Sequence, residues 1–367
     1  MSMDKLIEVS NRYGSDADYV LAGGGNTSWK TDEFMYVKGS GTELATIDSD
    51  GFVKVDLKKL DKIWSKTYSG DTETREEEVL ADLMASRFPE ENEKRPSVET
   101  LLHGMLPYTY VVHTHPALIN GITCSNKAAE LVRELFGNRA LWVSITNPGY
   151  ILAKVVKDRI DEHLKSGGEF PVMIFLQNHG VFVSANTINE IDSIYAHMFK
   201  VINDKVTIQP DRERQGVDPS EEEKAVRIIR DVLGKDMAVL GFRNKDIMTY
   251  SRSAEAFTPL SLSFTPDHIV YYGFKPVYSR SLESLGEDLK SYRESHEETP
   301  RLAVVKNIGA FAINTSENKA AKSALLFEDN VKIAVYTQSF GGYSFMPQDK
   351  IDFIRNWEVE KYRASKS

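Results

Sequence analysis

Three histidines stand at the ends of two apolar runs: His113-Thr114-His115 follows residues 108–112, and Gln177-Asn178-His179-Gly180 ends the run that begins at Val172. If both runs are β-strands, His113 and His115 project to one face, because side chains two residues apart on a strand share a face. His179, at the end of a neighbouring strand, would complete the His₃ set that holds a catalytic zinc ion and leaves a position open for water or substrate. A His-x-His pair also occurs as an ordinary hydrogen-bonded pair, and a lone turn histidine is commonly structural. The conjunction of all three with an upstream carboxylate is what points to a metal. That carboxylate is Glu99, in Pro96-Ser97-Val98-Glu99-Thr100. It is a metal ligand, a general base, or both in turn; the alternative is a first-turn glutamate that favours the helix dipole. His103, one helical turn further on, is either a competing ligand or a structural support behind the site.

Two glycine-rich segments add a second chemistry. Gly23-Gly24-Gly25-Asn26-Thr27-Ser28 and Gly39-Ser40-Gly41-Thr42 offer backbone amides and small hydroxyls of the kind that cradle an anion. Each alone is also what a plain turn looks like. Together with Ser97 at a helix start they suggest a phosphate pocket. They are not a dinucleotide fingerprint: Ser28 stands where the last glycine is needed, and no lysine-serine pair follows Gly41.

The elements that must position these residues can be read from periodicity. Residues 34–37, 52–55, 108–115 and 172–177 read as strands. Residues 76–88, with Val79, Leu80, Leu83 and Met84 at helical spacing, read as a helix. So do 99–106 (opened by Pro96-Ser97 and closed by Pro107), most of 117–136, and 188–206. The polar stretch IQPDRERQGVDPSEEE at 208–223 reads as a linker, giving a catalytic domain at 1–207 and a second domain at 224–367. That second domain echoes the first. TPRLAVVKNIGAFAINT from Thr299 parallels FPVMIFLQNHGVFVSANT from Phe170, and PDHIVYYGFKP from Pro266 parallels PYTYVVHTHPA from Pro107. In that register Tyr272 and Phe274 stand for His113 and His115, Ile308 for His179, and Thr258 for Glu99. The expectation is a degenerate copy, kept for packing or assembly, that has no donors for zinc.

In their order along the chain, Gly-Asn-Thr-Ser, Ser-Gly-Thr, Pro-Ser-x-Glu, His-x-His-Pro and Asn-His-Gly resemble the class II aldolase/adducin family. The resemblance is closest to the aldolase portion of bifunctional rhamnulose-1-phosphate aldolase/alcohol dehydrogenase proteins. GGGNTSWK, VKGSG, RPSVETLLHGMLPY and HTHPALI carry it, and PDHIVYYGFKP, KNIGAF and IDFIRNWEVEKYR extend it over essentially the whole chain. It implies an α/β fold, an αβα sandwich around a mixed, largely antiparallel sheet, followed by the smaller α/β domain. It also implies one Zn2+ held by His113, His115 and His179. Glu99 matches the family's acid/base glutamate, which approaches zinc when substrate is absent. Gly25, Asn26, Ser40, Gly41 and Ser97 match its phosphate-binding positions. Two departures stand out: Val98 replaces a second serine of the fuculose-phosphate aldolases, and no tyrosine lies between His115 and Tyr150 to serve as the second acid/base group.

The implied reaction is cleavage of a rhamnulose- or fuculose-like ketose 1-phosphate to dihydroxyacetone phosphate and an aldehyde through an enediolate. Sugar-phosphate dehydratases and 4-epimerases on the same zinc scaffold are the alternatives, and a non-catalytic adducin-like binding module is the third. Family members commonly assemble as tetramers, so a homo-oligomer, dimer or tetramer, is expected.

Composition narrows the partners. The chain has 367 residues, a net charge of −9 and one cysteine, Cys124. An acidic chain does not suit nucleic acid or an anionic membrane surface. One cysteine allows no intrachain disulfide and suits a reducing compartment. With no leader-like N-terminus and no apolar stretch long enough to span a bilayer, the expected location is cytoplasmic.

Overall fold

The computed structural model describes residues 3–91 and 93–357. The last residues of IDFIRNWEVEKYR, and the end of the expected second domain, lie outside the described residues. The chain divides into two compact units. Among the described residues, the first runs to Thr123 and resumes over Ala128–Asp204; the second comprises Cys124–Lys127 and residues 205–357.

The first unit is built on a seven-stranded sheet, β1 (Asn26–Lys30), β2 (Phe34–Lys38), β3 (Phe52–Asp56), β4 (Tyr110–Thr114), β5 (Ala140–Val143), β6 (Met173–Leu176) and β7 (Gly180–Ala185). Its spatial order is β3-β2-β1-β4-β7-β6-β5. Every neighbouring pair is antiparallel except β5 with β6. That parallel pair needs a crossover, which the Tyr150–Lys165 helix supplies. Alternation then sorts side chains to two faces. Met35, Val37, Val53, Val55, Val111, Ile174, Leu176 and Phe182 pack with Leu60, Val79, Leu83, Leu101 and Val156 from the helices on one face. On the other, the Tyr195 and Thr114 hydroxyls meet at 2.8 Å and Phe136 stacks on Phe175. Both faces are covered, which makes the α/β/α sandwich. The Ile188–Asn203 helix on the second face opens with a full capping box, Thr187 with Glu190, a device worth about 1 kcal/mol.

The second unit carries a four-stranded sheet from β8 (Ala238–Phe242), β9 (Val277–Ser279), β10 (Leu302–Val305) and β11 (Gly309–Asn314), in the order β8-β11-β10-β9. β11 is antiparallel to both neighbours and β9 is parallel to β10. This repeats the order and directions of β4-β7-β6-β5. Two expectations are corrected. The segment from Pro266 is not a strand but a helix, Pro266–Tyr272, with proline in its first turn and Gly273 at φ 97° ending it. The stretch expected as a linker already contains the start of a helix, Pro219–Leu233, whose N-cap Asp218 accepts from the N–H groups of Ser220 and Glu221.

Candidate metal centre

β4, buried along its whole length, carries His113 next to its last residue, and His115 follows directly after the strand. His179 sits in the tight turn between β6 and β7. Asn178 adopts φ 54° there, a left-handed conformation that asparagine tolerates. Gly180 lets the turn close on β4: a Cβ at that position would lie 2.5 Å from the Thr114 carbonyl and 2.6 Å from the His115 ring. The result is one ligand nitrogen from each of His113, His115 and His179, all within 4.8 Å of one another.

Hydrogen bonding fixes the protonation of the central ring. His113 Nδ1 lies 3.0 Å from the Val181 carbonyl, which can only accept, so Nδ1 carries a proton, and in the neutral ring the lone pair is on Nε2. That Nε2 is 2.9 Å from His115 Nε2. Phe182 stacks flat on His113 at 3.9 Å and holds the ring plane.

Glu99 completes the group. It occupies the N-cap position of the Thr100–Met105 helix, yet its side chain makes no capping bond. The carboxylate turns instead toward the histidines, with Oε1 3.4 Å from His113 Nε2 and 3.6 Å from His179 Nε2. Between ligand or base on one side and dipole stabiliser on the other, the geometry decides against the dipole. Oε1 is buried and accepts no hydrogen bond among the described residues; the other oxygen, Oε2, accepts from Asn26 Nδ2. A buried carboxylate oxygen without a donor is costly unless a cation faces it. Three imidazoles and one carboxylate are the donor set of a borderline-soft divalent ion, so these residues fit a metal.

His103 is not part of this set. Fully buried, it faces Ser28 Oγ at 2.7 Å through Nδ1 and the Asn26 side-chain oxygen through Nε2. Burial, with His113 and Lys30 adding to it, holds its pKa well below the usual range, so the ring is neutral.

The five positions matched to phosphate binding gather at one end of β1 and β2. Ser40 N–H donates to the Arg95 carbonyl at 2.8 Å and Ser97 N–H to the Lys38 carbonyl at 3.2 Å, which brings the Ser40–Gly41 turn beside Ser97. Ser97 Oγ accepts from Glu99 N–H at 3.2 Å and from Asn26 Nδ2 at 3.4 Å. Gly25 and Gly41 have φ 65° and 86°, and a Cβ on Gly25 would stand 2.7 Å from the His113 carbonyl. Sequence reasoning missed the roles of Ser28, Asn26 and Phe182 around Glu99 and His113. Only the one-turn spacing of Glu99 and His103 hinted at them.

In the second unit the counterpart of β4 is β8, so Tyr272 and Phe274 do not occupy the places of His113 and His115. His113 pairs with Phe182, and Gly241 with Phe311. In this register Gly241 and Arg243 take the two positions. Ile308 stands at the turn as expected, after Asn307 with φ 57°. As at Gly180, a Cβ on Gly309 would collide with the neighbouring strand, 2.8 Å from the Phe242 carbonyl and 3.3 Å from the Arg243 Cβ. Thr258 lies in a short 3-10 turn. Glu222 instead approaches this corner, its Oε1 accepting from Gly241 N–H at 3.1 Å. A glycine, an arginine and an isoleucine hold no metal.

Residues 4–199, more than half of the chain, match the family described as Class II Aldolase and Adducin N-terminal domain; the chain belongs to that family. A curated relative, the Uncharacterized oxidoreductase YuxG of Bacillus subtilis (strain 168), is 24% identical over 412 residues, covering 99% of this chain. The chain spans 58% of that relative's length. Among solved structures, the N-terminal class II aldolase domain of a conserved protein from Thermoplasma acidophilum is 29% identical, with a TM-score of 0.47, over 56% of this chain and 93% of that one. The L-fuculose-1-phosphate aldolase from Thermus thermophilus is 14% identical, with a TM-score of 0.35, over 55% of this chain and 91% of that one. No helix among the described residues is long and apolar enough to cross a membrane.

Proposed function

We propose that the first unit is a zinc-dependent carbon–carbon lyase that cleaves a ketose 1-phosphate, rhamnulose- or fuculose-phosphate-like, to dihydroxyacetone phosphate and an aldehyde. The observation that carries this reading is the undonated Glu99 Oε1 aimed at the Nε2 atoms of His113 and His179. His113, His115 and His179 would hold the ion. When bound, a divalent ion supplies Lewis-acid stabilisation of the negative charge that develops as the carbon–carbon bond breaks.

The protein's own residues do the rest. Glu99 moves the proton at the carbon that gains the electron pair, a general acid–base role for which its buried position and single fixed oxygen suit it. The turns at Gly25-Asn26 and Ser40-Gly41, with Ser97, receive the phosphate, and by anchoring one end of the sugar they fix the reacting carbons beside Glu99. We also propose that the chain works as a homo-oligomer, which light scattering of the active protein checks; a fully active stable monomer would count against it.

Metal analysis coupled to a screen of ketose 1-phosphates and free ketoses tests the function. Release of dihydroxyacetone phosphate together with an aldehyde is the expected result. Loss of water from the sugar, or inversion at C4, would reassign the site to a dehydratase or epimerase. Absence of bound metal would leave the adducin-like binding role.

A further inference from the structure

We infer that Ser28, His103 and Asn26 form a one-directional hydrogen-bond chain whose purpose is to orient the Glu99 carboxylate, making His103 and the Asn26 side chain positioning residues. This rests on the proposed acid–base role of Glu99.

The direction of the chain follows from which groups can donate. Glu99 Oε2 is an acceptor, so the amide group 2.5 Å from it is Asn26 Nδ2. Flipping the amide would set its oxygen against the carboxylate, two acceptors facing each other. With Nδ2 so placed, Asn26 Oδ1 faces His103 Nε2 and must accept from it. The His103 proton is therefore on Nε2, and Nδ1 accepts from the Ser28 hydroxyl at 2.7 Å. All four residues are buried: Ser28 and His103 are 0% exposed, Asn26 5% and Glu99 6%.

The geometry has three consequences. With Oε2 held by Asn26, the carboxylate presents Oε1 to His113 and His179. The Asn26 amide has both of its atoms engaged, so any contact it offers a phosphate comes from its backbone, not from the side chain. His103 cannot also be a metal ligand, because Nε2 carries a proton and Nδ1 faces Ser28.

Two readouts on the full chain test this. Long-range proton–nitrogen NMR should show His103 as the Nε2–H tautomer with Nδ1 as acceptor; an Nδ1–H tautomer overturns the chain whatever the enzyme turns over. In kinetics, His103→Leu should keep one bound metal and lower kcat roughly 10- to 100-fold with little change in KM. His103→Gln, which retains a donor near the Nε2 position, should recover most of that loss. The same Leu substitution made in Glu99→Gln should cost nothing further, since the group it orients is gone. Additive losses, or no rescue by glutamine in a folded protein, contradict positioning. A wild-type protein that binds no metal and cleaves no ketose phosphate contradicts the proposed function instead, and the tautomer separates the two failures.

Discussion

Glu99 and His113 show how one side chain acquires a role through the atoms around it. Val181 accepts the His113 Nδ1 proton and so exposes the Nε2 lone pair; Asn26 pins one Glu99 oxygen and leaves the other facing that lone pair. Glu99→Gln keeps the shape and the hydrogen bond but removes the base. It should retain bound metal and lose about 10²- to 10⁴-fold in turnover, checked by metal content and kcat on the same sample; unchanged turnover would remove Glu99 from the mechanism. The grouping of His113, His115, His179 and Glu99 was legible in the sequence because residue type and strand spacing place them together. The partners of His103 were not. Ser28 and Asn26 precede it by more than seventy residues, and the direction of an amide is invisible until its neighbours are placed.

Turns and caps set these residues in place. The β6–β7 turn brings His179 to His115 only because position 180 has no side chain. Gly180→Ala should lower stability by about 1–3 kcal/mol or more and weaken metal binding, measurable by denaturant unfolding with and without metal. Lys30 ties β1 to the helix carrying His103, donating to the carbonyls of His103 and Leu106. Burial pushes its pKa down to about 7, whereas an unfolded lysine keeps its proton to about pH 10.4. Between these values the unfolded chain binds the extra proton, so this residue makes stability rise with pH from about 7 to about 10 and fall as pH drops toward 7. Lys30→Met should flatten that slope in unfolding experiments across the same range. Element type was legible where periodicity is long and clean, as in residues 76–88. β1 escaped because its glycine-rich lead reads as a turn. The Pro266–Tyr272 helix was misread because Ile269-Val270-Tyr271-Tyr272 has strand-like residue types, although Pro266 and Gly273 are helix punctuation.

At the scale of the whole molecule, two units repeat one strand order with different chemistry. The echo between residues 170–187 and 299–316 was legible because the two hairpins keep the same turn, Asn-x-Gly. Its extension to Tyr272 and Phe274 failed because the strand corresponding to β4 lies earlier, at Ala238–Phe242, with little sequence likeness left. The first unit retains three imidazoles and a carboxylate; the second has Gly241, Arg243 and Ile308 at the equivalent places. The proposed function therefore predicts one metal ion per chain. The direct measurement is elemental analysis of the purified protein beside His113→Ala and His179→Ala variants that remain folded by circular dichroism. One divalent ion per wild-type chain and essentially none in either variant is the predicted result. A second ion per chain, a metal-free wild type after metal loading, or full occupancy in the variants would contradict it.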